Sequence, residues 1–432
     1  MSASVTPTPA ASDLPWWREP TKDQWQAYIA AWLGWTLDAF DFTIFLLIML
    51  PISQEFGVPL TAVAIIFTLT LWMRLVGATA AGWLGDRLGR KTPLMISILW
   101  YSICNFIAGF SPTFTFLLIF RTLLGIGMGA EWPAGAALAM ESWPARSRGF
   151  MSGVLQGSWG LGFALSAAAY GFLYDDIGWR GLLWIGILPA FAVIYIRFFV
   201  KEPEVWAENK RKQTAQQTEV RLPLFTIFKP KYLYNTLTGC AWMASAFCVY
   251  YSIWALFPTY LQRELHWSPK DVFVPVFFAN LIVFGGNAVW GLVADKWGRR
   301  PGIYIPAIIG IFVTPIYLFT TDPVWIVAGF IIQGFFAGSI YGQNPSYLCE
   351  RFPTEVRATA SGFVYHQGAI FGGFIAPLLS YFANEMKMGY AMPMMAGTMF
   401  FSVLVVIFVW LGPETKGKHL TSDVEVFAAA DD

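Results

Sequence analysis

The sequence GWLGDRLGRK at residues 82–91 returns 209 positions later as GLVADKWGRR at residues 291–300. Other features return at almost the same spacing: Glu141 and Gly153 as Glu350 and Gly362 at 209, and Pro-Glu at 203–204 as Pro-Glu at 413–414 at 210. A nearly constant offset across separated motifs indicates an internal repeat. The chain is therefore expected to consist of two halves with the same elements in the same order.

The composition indicates that lipid surrounds most of the chain, because 56% of its 432 residues are hydrophobic, 18% are aromatic and only 13% are charged. Ordinary soluble domains do not share these values. Apolar runs of about 20 residues, long enough to cross a ~30 Å hydrocarbon core, recur along the whole chain. The sequence predicts an all-α integral membrane protein with twelve membrane-spanning helices, at about 25–50, 60–83, 93–110, 114–140, 150–174, 179–200, 232–261, 271–294, 302–321, 324–348, 357–384 and 389–412.

The predicted spans divide the chain into two six-helix halves with polar connections. The expected segments are an N-terminal tail, a first half, a linker, a second half and a C-terminal tail: 1–24, 25–200, 201–231, 232–412 and 413–432. Of the 28 Lys and Arg residues, 21 fall on the side that would hold both termini, four on the other side and three inside spans. Basic loops resist translocation, so we expect both termini and the linker in the cytoplasm, with the chain in the cell (inner) membrane.

Five ionisable residues interrupt the apolar spans of the first half: Asp38, Asp41, Arg74, Arg121 and Glu131. A charge at the bilayer centre costs ~2.5 to 3.5 kcal/mol even on a lenient scale, so such residues persist mainly where they pair or line a path for ions or substrate. The corresponding positions of the second half are uncharged. These five residues therefore favour transport as the function.

The depth of each charge below the cytoplasmic end of its span predicts which charges meet. Arg74 and Glu131 each lie nine residues from that end, about 13 Å deep, whereas Asp41 and Arg121 lie roughly 24 and 28 Å deep. We expect Glu131 to pair with Arg74, and Asp38 or Asp41 to pair with Arg121. Because the arithmetic depends on the helix ends, a swapped pairing stays open.

The balance of these charges suggests that a proton takes part. Three carboxylates face two guanidinium groups, and Asp38 and Asp41 share one helix face at about 5 to 6 Å between their Cβ atoms. Like charge and desolvation both favour the protonated form of a carboxyl group. Asp38, Asp41 and Glu131 are therefore the candidate proton-coupling residues, and a purely structural ion-pair network is the alternative.

A carboxylate on the substrate would bind an arginine, whose planar side chain offers paired donors. Arg74 is the first candidate and Arg121 the second. Other polar side chains of both halves are candidates to surround the substrate, although each could instead join helices by a hydrogen bond: Gln156, Tyr250, Asn280, Gln343, Asn344 and His366. His366 is also a candidate second proton carrier, since histidine titrates near neutral pH.

Several motifs resemble those of known transporters. The paired loops, RTLLGIGMGAEWPAG at 121–135 and PETKG at 413–417 resemble the major facilitator superfamily over essentially the whole chain. The first half is also similar to the sialate:proton symporter family, which includes carriers of sialic acid, lactate and pyruvate, on the basis of PWWREPTKDQWQAYIAAWLGWTLDAFDF at 15–42, Arg74, GMGAEWPAG at 127–135 and ESWPARSRG at 141–149. This similarity is looser in the second half, and the short linker stands where bacterial sialic-acid carriers have two extra spans, so the substrate stays open.

The repeated loops place an acid close to basic residues. Each Asp lies at the glycine-flanked end of a helix, where its carboxylate can bind the bases one turn away or the N-terminus of a neighbouring helix. The resemblance implies that these contacts hold the cytoplasmic side shut when the transporter is open to the outside, and a solvated turn is the alternative. The candidate gate residues are Asp86, Arg90, Lys91, Asp295, Arg299 and Arg300.

The sequence therefore predicts a proton-coupled symporter that imports an organic carboxylate such as sialic acid, lactate or pyruvate by alternating access. A proton-coupled transporter of a sugar or another metabolite is the alternative, and a receptor that only binds its ligand stays open. A drug exporter would be expected to carry Gly-Pro late in its fifth span, where this chain has none. No motif indicates an enzyme, a cofactor or a metal site. The expected partners are a small anionic substrate, protons and the lipid bilayer, without nucleic acid, and the chain is expected to act as a monomer.

Overall fold

The computed structural model describes residues 15–267 and 269–426, so Ser268, residues 1–14 of the expected N-terminal tail and residues 427–432 of the C-terminal tail lie outside the described part. The described residues form helices and connecting turns without a β-strand, which confirms the all-α class. In chain order the helices are α1 (Lys22–Phe56), α2 (Leu60–Leu88), α3 (Lys91–Ala108), α4 (Phe114–Ser142), α5 (Arg148–Ile185), α6 (Ala190–Phe199), α7 (Glu204–Gln216), α8 (Pro223–Thr226), α9 (Pro230–Ile253), α10 (Phe257–Arg263), α11 (Pro269–Trp297), α12 (Arg299–Leu318), α13 (Pro323–Phe335), α14 (Asn344–Arg351), α15 (Arg357–Asn384) and α16 (Ala391–Leu411).

Ten stretches of the described residues are helical, long and apolar enough to cross a membrane. One of them, Ala145–Phe199, is 55 residues long and contains the predicted fifth and sixth spans. Gly178 separates these two spans, because its φ of 62° and ψ of −174° interrupt the helix. The predicted third span is helical as α3, outside those ten stretches. All twelve predicted spans therefore coincide with helical segments.

Local capping extends the helices beyond the apolar runs. The Thr21 side chain accepts a hydrogen bond from the Gln24 N–H while the Gln24 side chain accepts one from the Thr21 N–H. This capping box fixes the start of α1. At its far end α2 continues to Leu88 and stops at Gly89, whose φ of 105° lies in the region that favours glycine. The helix is thus longer at this end than hydropathy predicts, which changes the depth of every charge on it.

The two halves pack against each other through α2 with α15 and through α5 with α11. Glycines permit this close approach. A Cβ on Gly82 would lie 2.5 Å from the Thr359 Cα, and a Cβ on Gly153 would lie 2.1 Å from the Asn287 carbonyl oxygen. Both contacts lie toward the end of the bundle that holds the linker and the described ends of the chain, which we call the linker end.

The connection between the halves is itself folded. Its polar composition predicted only a linker, yet α7 forms within it and buries Asn209. Trp206 Nε1 donates to the backbone carbonyl of Asp86 at 3.3 Å, so α7 lies across the linker end. Asn209 Nδ2 donates to the carbonyls of Ser422 and Asp423 in the C-terminal tail, at 3.2 and 3.0 Å. The linker helix and the tail therefore cover the linker end together.

Candidate functional site

A cavity with about 590 Å³ of space free of protein atoms, its opening included, lies between the two halves. Aromatic side chains form much of its wall: Trp35, Trp159, Phe247, Tyr250, Tyr251, Tyr341 and Tyr365. Four of the residues predicted to bind substrate also line it, from α2, α5, α9 and α15: Arg74, Gln156, Tyr250 and His366. The structure thus brings part of the predicted site together.

Arg74 is the charged group of the cavity wall. Its Nη2 donates to Asp38 Oδ2 at 2.9 Å, and both side chains are buried. Its guanidinium carbon lies 5.8, 5.4 and 5.4 Å from the ring centroids of Trp35, Phe42 and Trp159, distances typical of cation–π contacts. Its Nε has no hydrogen-bond partner within residues 15–267 and 269–426. Arg74 therefore holds one carboxylate and retains a donor for another.

The predicted pairing of Arg74 with Glu131 is wrong, because Arg74 pairs with Asp38. The helix ends explain the difference. Arg74 lies 14 residues from the true end of α2, ~21 Å deep, and Asp38 lies 16 residues into α1, ~24 Å deep. Glu131 lies 11 residues from the end of α4, only ~16 Å deep. The extension of α2 past its apolar run therefore puts Arg74 level with Asp38.

Glu131 has no ion pair among the described residues. Its side chain is buried, and in the part of the chain that the structure describes neither carboxylate oxygen has a hydrogen-bond partner. The carboxylate lies against α1, where a Cβ on Gly34 would be 2.5 Å from Glu131 Oε1. A larger residue at position 34 would require the Glu131 carboxylate to shift. An ionised carboxylate without a partner is costly to bury, so this position needs either a proton or a transient cation.

Arg121 forms a second buried cluster, away from the cavity. Its Nη1 donates to Asn105 Oδ1 at 2.9 Å and to the backbone carbonyl of Asp41 at 3.4 Å, and its guanidinium carbon lies 4.3 Å from the Phe45 ring centroid. Arg121 thus lies beside Asp41, but it bonds the backbone carbonyl and not the carboxylate, whose two oxygens have no hydrogen-bond partner among the described residues. The predicted ion pair is therefore not formed, and Asp38 is not part of this group. Sequence reasoning missed Asn105, whose only signal was a lone amide inside the third span.

Gln156 joins the two halves beside the cavity. Its Oε1 accepts a hydrogen bond from Trp132 Nε1 at 3.1 Å, and its Nε2 donates to the Tyr365 hydroxyl at 3.3 Å. Trp132 and Tyr365 also stack, with ring centroids 4.1 Å apart. Next to them, His366 Nδ1 bonds the Gly362 carbonyl at 3.0 Å, and its Nε2 has no partner among the residues that the structure describes.

The structure does not bring four predicted substrate ligands to the cavity: Arg121, Asn280, Gln343 and Asn344. Asn280 Nδ2 bonds the carbonyl of Val276 in its own helix at 2.9 Å, and Gln343 Nε2 bonds the Gly149 carbonyl across the halves at 3.4 Å. Gln343 therefore joins helices across the halves, which was the alternative role, whereas the Asn280 bond stays within its own helix. Conversely, Trp35 and Trp159 were missed, although each lies three residues from a predicted site residue on the same helix face.

At the linker end, a carboxylate of each half caps the N-terminus of a helix in the other half. The carboxylate of Asp86 accepts hydrogen bonds from the N–H groups of Ala358 and Thr359 at the start of α15, both at 3.0 Å. The carboxylate of Asp295 accepts hydrogen bonds from the N–H groups of Gly149 and Phe150 at the start of α5, at 2.8 and 2.7 Å. A carboxylate at a helix N-terminus is stabilised by the helix dipole.

Ion pairs reinforce these caps. Arg90 pairs with Asp86 at 2.9 Å and with Glu141 at 2.6 Å, and Arg357 of the other half also pairs with Glu141, at 2.7 Å. The second half repeats the pattern, with Arg299–Asp295 at 2.6 Å, Arg299–Glu350 at 2.9 Å and Arg148–Glu350 at 3.2 Å. We call the eight residues the gate cluster: Asp86, Arg90, Glu141, Arg148, Asp295, Arg299, Glu350 and Arg357.

Lys91 and Arg300 differ from the other predicted gate residues. Lys91 Nζ donates to the carbonyls of Arg197 and Val200, at 2.8 and 2.7 Å, and Arg300 Nη2 donates to the carbonyl of Trp410. Each side chain therefore bonds backbone carbonyls at the C-terminal end of a helix in its own half. They join no residues across the two halves in these bonds.

The two Pro-Glu dipeptides of the sequence repeat do not occupy equivalent places in the structure. Glu414 accepts hydrogen bonds from the N–H groups of Arg299 and Arg300, at 2.8 and 3.1 Å. In the first half Glu202 has this place, bonding the N–H groups of Arg90 and Lys91 at 2.7 and 3.0 Å, rather than the Glu204 that the dipeptide predicted.

Two helical halves of the same order, with a cavity between them and reciprocal ion pairs at one end, define a membrane transport protein. The sequence pattern of the Major Facilitator Superfamily matches residues 31–363 and 244–428. The chain belongs to this superfamily, whose members are multi-pass transporters and not enzymes.

Curated transporters are similar over nearly the whole chain. A probable 4-methylmuconolactone transporter of Cupriavidus pinatubonensis is 30% identical over 413 residues, 93% of each chain. The cis,cis-muconate transport protein of Acinetobacter baylyi is 29% identical over 387 residues, 89% of this chain and 94% of that one. The sialic acid transporter NanX of Escherichia coli is 26% identical over 410 residues, 93% of this chain and 97% of that one, in agreement with the resemblance to sialate:proton symporters.

A solved structure shares the fold. The proton:xylose symporter XylE bound to 6-bromo-6-deoxy-D-glucose superposes with a TM-score of 0.74 at 18% identity, over 92% of this chain and 98% of that one.

Proposed function

We propose that this transporter is a proton-coupled symporter that imports a small organic carboxylate by alternating access. The observation that carries the proposal is Arg74, which lines the cavity between the halves while it is bound to Asp38. An arginine buried at this depth beside a cavity is suited to a carboxylate substrate. The relatives support the class, since muconate and sialic acid are carboxylic acids.

Arg74 is shared by two anions in the proposed cycle. A carboxylate that enters the cavity competes with Asp38 for the guanidinium group, because both bind the same donors. A proton on Asp38 removes the competition and neutralises a charge that would otherwise be buried without a partner. Substrate and proton thus each lower the free energy needed to bury the other, which is the coupling.

Glu131 is the second acid of the coupling. It interacts electrostatically with both Asp38 and Arg74, and it has no hydrogen-bond partner among the described residues. Three buried carboxylates against two guanidinium groups leave one negative charge unbalanced. We assign the compensating proton to Glu131 in the arrangement described, and we keep Asp41, beside Arg121, as a further acid of the relay.

The gate cluster closes the linker end in this proposal, and the linker end faces the cytoplasm. Opening it requires both helix caps to separate, those of Asp86 and Asp295. The cavity and the gate cluster both come from one chain, so we expect a monomer in the cell (inner) membrane with its termini in the cytoplasm. The positions of the basic residues favour this orientation.

The test is uptake into liposomes that contain the purified protein, with the outside more acidic than the inside. The panel consists of sialic acid, lactate, pyruvate and muconate, with xylose as a neutral sugar. We expect at least one acid to accumulate against its gradient and to leak out when a protonophore removes the pH difference. Accumulation of xylose alone would favour the sugar alternative. Uptake at the same rate with and without the pH difference would contradict proton coupling.

A further inference from the structure

The wall of the cavity consists largely of rings held in fixed planes. Tyr250 stacks on Trp254 with 5.2 Å between ring centroids and 6° between planes. Trp35 and Trp159 lie 4.8 Å apart, and both also contact the guanidinium group of Arg74. Rings offer large, rigid apolar surfaces that favour other flat π systems. The surface beside the carboxylate anchor is therefore aromatic, with the ring planes of Trp35 and Trp159 inclined to each other by 41°.

Much of the polar wall on the first-half side is already engaged. Trp35 Nε1 donates to the Gln156 backbone carbonyl at 3.3 Å, and the Gln156 side chain bonds Trp132 and Tyr365. A ligand with many hydroxyl groups would have to break these bonds or bury its own hydroxyl groups unpaired. Each unpaired group would lower its affinity.

Four buried polar atoms on residues that line the cavity have no hydrogen-bond partner within the described part of the chain: Arg74 Nε, Asn287 Oδ1, Tyr341 Oη and His366 Nε2. Arg74 belongs to the first half, and the other three belong to the second half. Asn287 Nδ2 is used by the Val283 carbonyl at 2.8 Å, which leaves Oδ1 as an acceptor for a ligand donor. The unpartnered atoms thus divide into an anion site on one wall and a neutral hydrogen-bonding site on the opposite wall.

We propose that the substrate is a flat aromatic or conjugated monocarboxylate that carries a neutral hydrogen-bond donor such as a hydroxyl group. The carboxylate binds Arg74, the flat body lies along the rings, and the donor reaches Asn287 and Tyr341. Polyhydroxylated acids and short aliphatic acids are poor substrates. This inference deepens the proposed function, on which its transport consequence rests.

The test compares acids of matched size for binding to the purified protein, measured by quenching of tryptophan fluorescence. Benzoate and cyclohexanecarboxylate differ in flatness, and 4-hydroxybenzoate adds the donor. We expect benzoate to bind roughly tenfold more tightly than its saturated counterpart, and 4-hydroxybenzoate to bind more tightly still. Sialic acid and lactate should be the weakest. Equal binding of the saturated acid, or tighter binding of sialic acid or lactate, would overturn the inference.

Variants of α11 separate the neutral site from the fold. In Asn287→Ala the preference for 4-hydroxybenzoate over benzoate should fall by about fivefold to tenfold, as for one lost hydrogen bond. Asn280→Ala is the matched control two turns away on the same helix, and it should keep the preference. An unchanged preference in folded Asn287→Ala would overturn the donor site. A second variant, Tyr341→Phe, removes the hydroxyl group of the same site, and the preference for 4-hydroxybenzoate over benzoate is measured again.

The binding measurements also distinguish this inference from the proposed function. If flat acids bind in the expected order but are not accumulated under a pH gradient, the proposed function fails and the inference stands. If carboxylates are accumulated but the saturated or polyhydroxylated acids are preferred, the proposed function stands and the inference fails.

Discussion

At the scale of the residue, Arg74 combines two interactions that favour a guanidinium group over an ammonium group. It donates to Asp38 at 2.9 Å and lies against three aromatic rings, at 5.4 to 5.8 Å from their centroids. A planar group can stack on rings while its edge donates to carboxylates. Lysine is a compact charge that cannot bind two carboxylates in this geometry.

Arg74→Lys should therefore abolish uptake of acidic substrates while the protein still folds. We expect at least a hundredfold loss of apparent affinity, since charge-assisted bonds to a carboxylate contribute about 1.5 to 3 kcal/mol each. The measurement is concentration-dependent uptake in liposomes. Arg197→Lys is the control, because the Arg197 side chain is exposed on α6. Near-normal affinity in Arg74→Lys would remove Arg74 from the site.

Glu131→Gln should separate exchange from accumulation. No ion pair is broken by this change, since Glu131 has no partner among the described residues, and we expect the protein to fold. Counterflow exchange of substrate should persist, because Arg74 and Asp38 remain. Accumulation driven by a pH gradient should be lost, because the proton site is gone.

The same assays on Asp41→Asn examine the acid that lies beside a buried arginine. The Asp41 carboxylate interacts electrostatically with Arg121 without forming an ion pair, so removing its charge should cost less than the roughly 3 to 5 kcal/mol of a broken buried ion pair. We expect a lower melting temperature as well as lost accumulation. Full concentrative uptake by either variant would contradict its role in coupling.

At the scale of the element, the halves are joined where a carboxylate of one caps a helix of the other. Asp86 bonds two N–H groups and the hydroxyl of Thr359, at 3.0, 3.0 and 2.7 Å. The cap joins α2 to α15, and Asp295 makes the equivalent junction of α11 with α5. Because each cap bridges two halves, losing one should shift the balance toward the state that is open at the linker end.

Asp86→Asn should expose the linker end. Cys349 is fully buried beside the gate cluster, and its backbone carbonyl accepts a hydrogen bond from Arg357 Nε at 2.9 Å. We expect a membrane-permeable maleimide to modify Cys349 about tenfold faster in the variant, for a loss of roughly 1.4 kcal/mol from the closed state. Peptide mass spectrometry measures the rate. Asp176→Asn, exposed at the opposite end, should leave it unchanged, and equal rates in all three proteins would contradict the cap.

The linker helix and the tail make a further prediction. Asn209 of α7 is buried and holds two tail carbonyls. Asn209→Ala should release the tail, because both bonds are lost together. Trypsin should then cleave faster after Lys418, whereas Gln216→Ala, an exposed change on the same helix, should leave cleavage at the original rate. Unchanged cleavage in Asn209→Ala would show that the other tail contacts suffice.

At the scale of the whole molecule, the residues of the gate cluster occupy equivalent positions of the internal repeat. Arg90 and Arg299, Glu141 and Glu350, and Arg148 and Arg357 are all 209 positions apart. The two copies meet at one end, and the cavity lies deeper in the bundle. The charges inside the spans are not symmetric, because Asp38, Asp41 and Glu131, like Arg74, belong to the first half, and the positions 209 residues later are uncharged. One half thus contributes the charges, and the other contributes much of the aromatic and neutral wall.

The orientation of the molecule can be tested with single cysteines. Gln217, in the turn after α7, belongs to the linker end, and Lys387, in the loop between α15 and α16, belongs to the opposite end. We expect an impermeant maleimide to label Lys387→Cys in intact cells and to label Gln217→Cys only after the membrane is opened. The reverse pattern would place the termini outside.

Hydropathy and motif spacing were enough to predict the twelve spans, the repeat, the five buried charges and the acids of the gate, because these are local properties of the chain. They could not predict that Arg74 binds Asp38 and leaves Glu131 without a partner, since the depth of a charge depends on where each helix ends. They identified Gln156 and Tyr250, which line the cavity, but missed Trp35 and Trp159. Contacts such as that of Gln156 with Tyr365 form only when the two halves pack. Local patterns fix which side chains enter the membrane, whereas packing between helices fixes which of them touch.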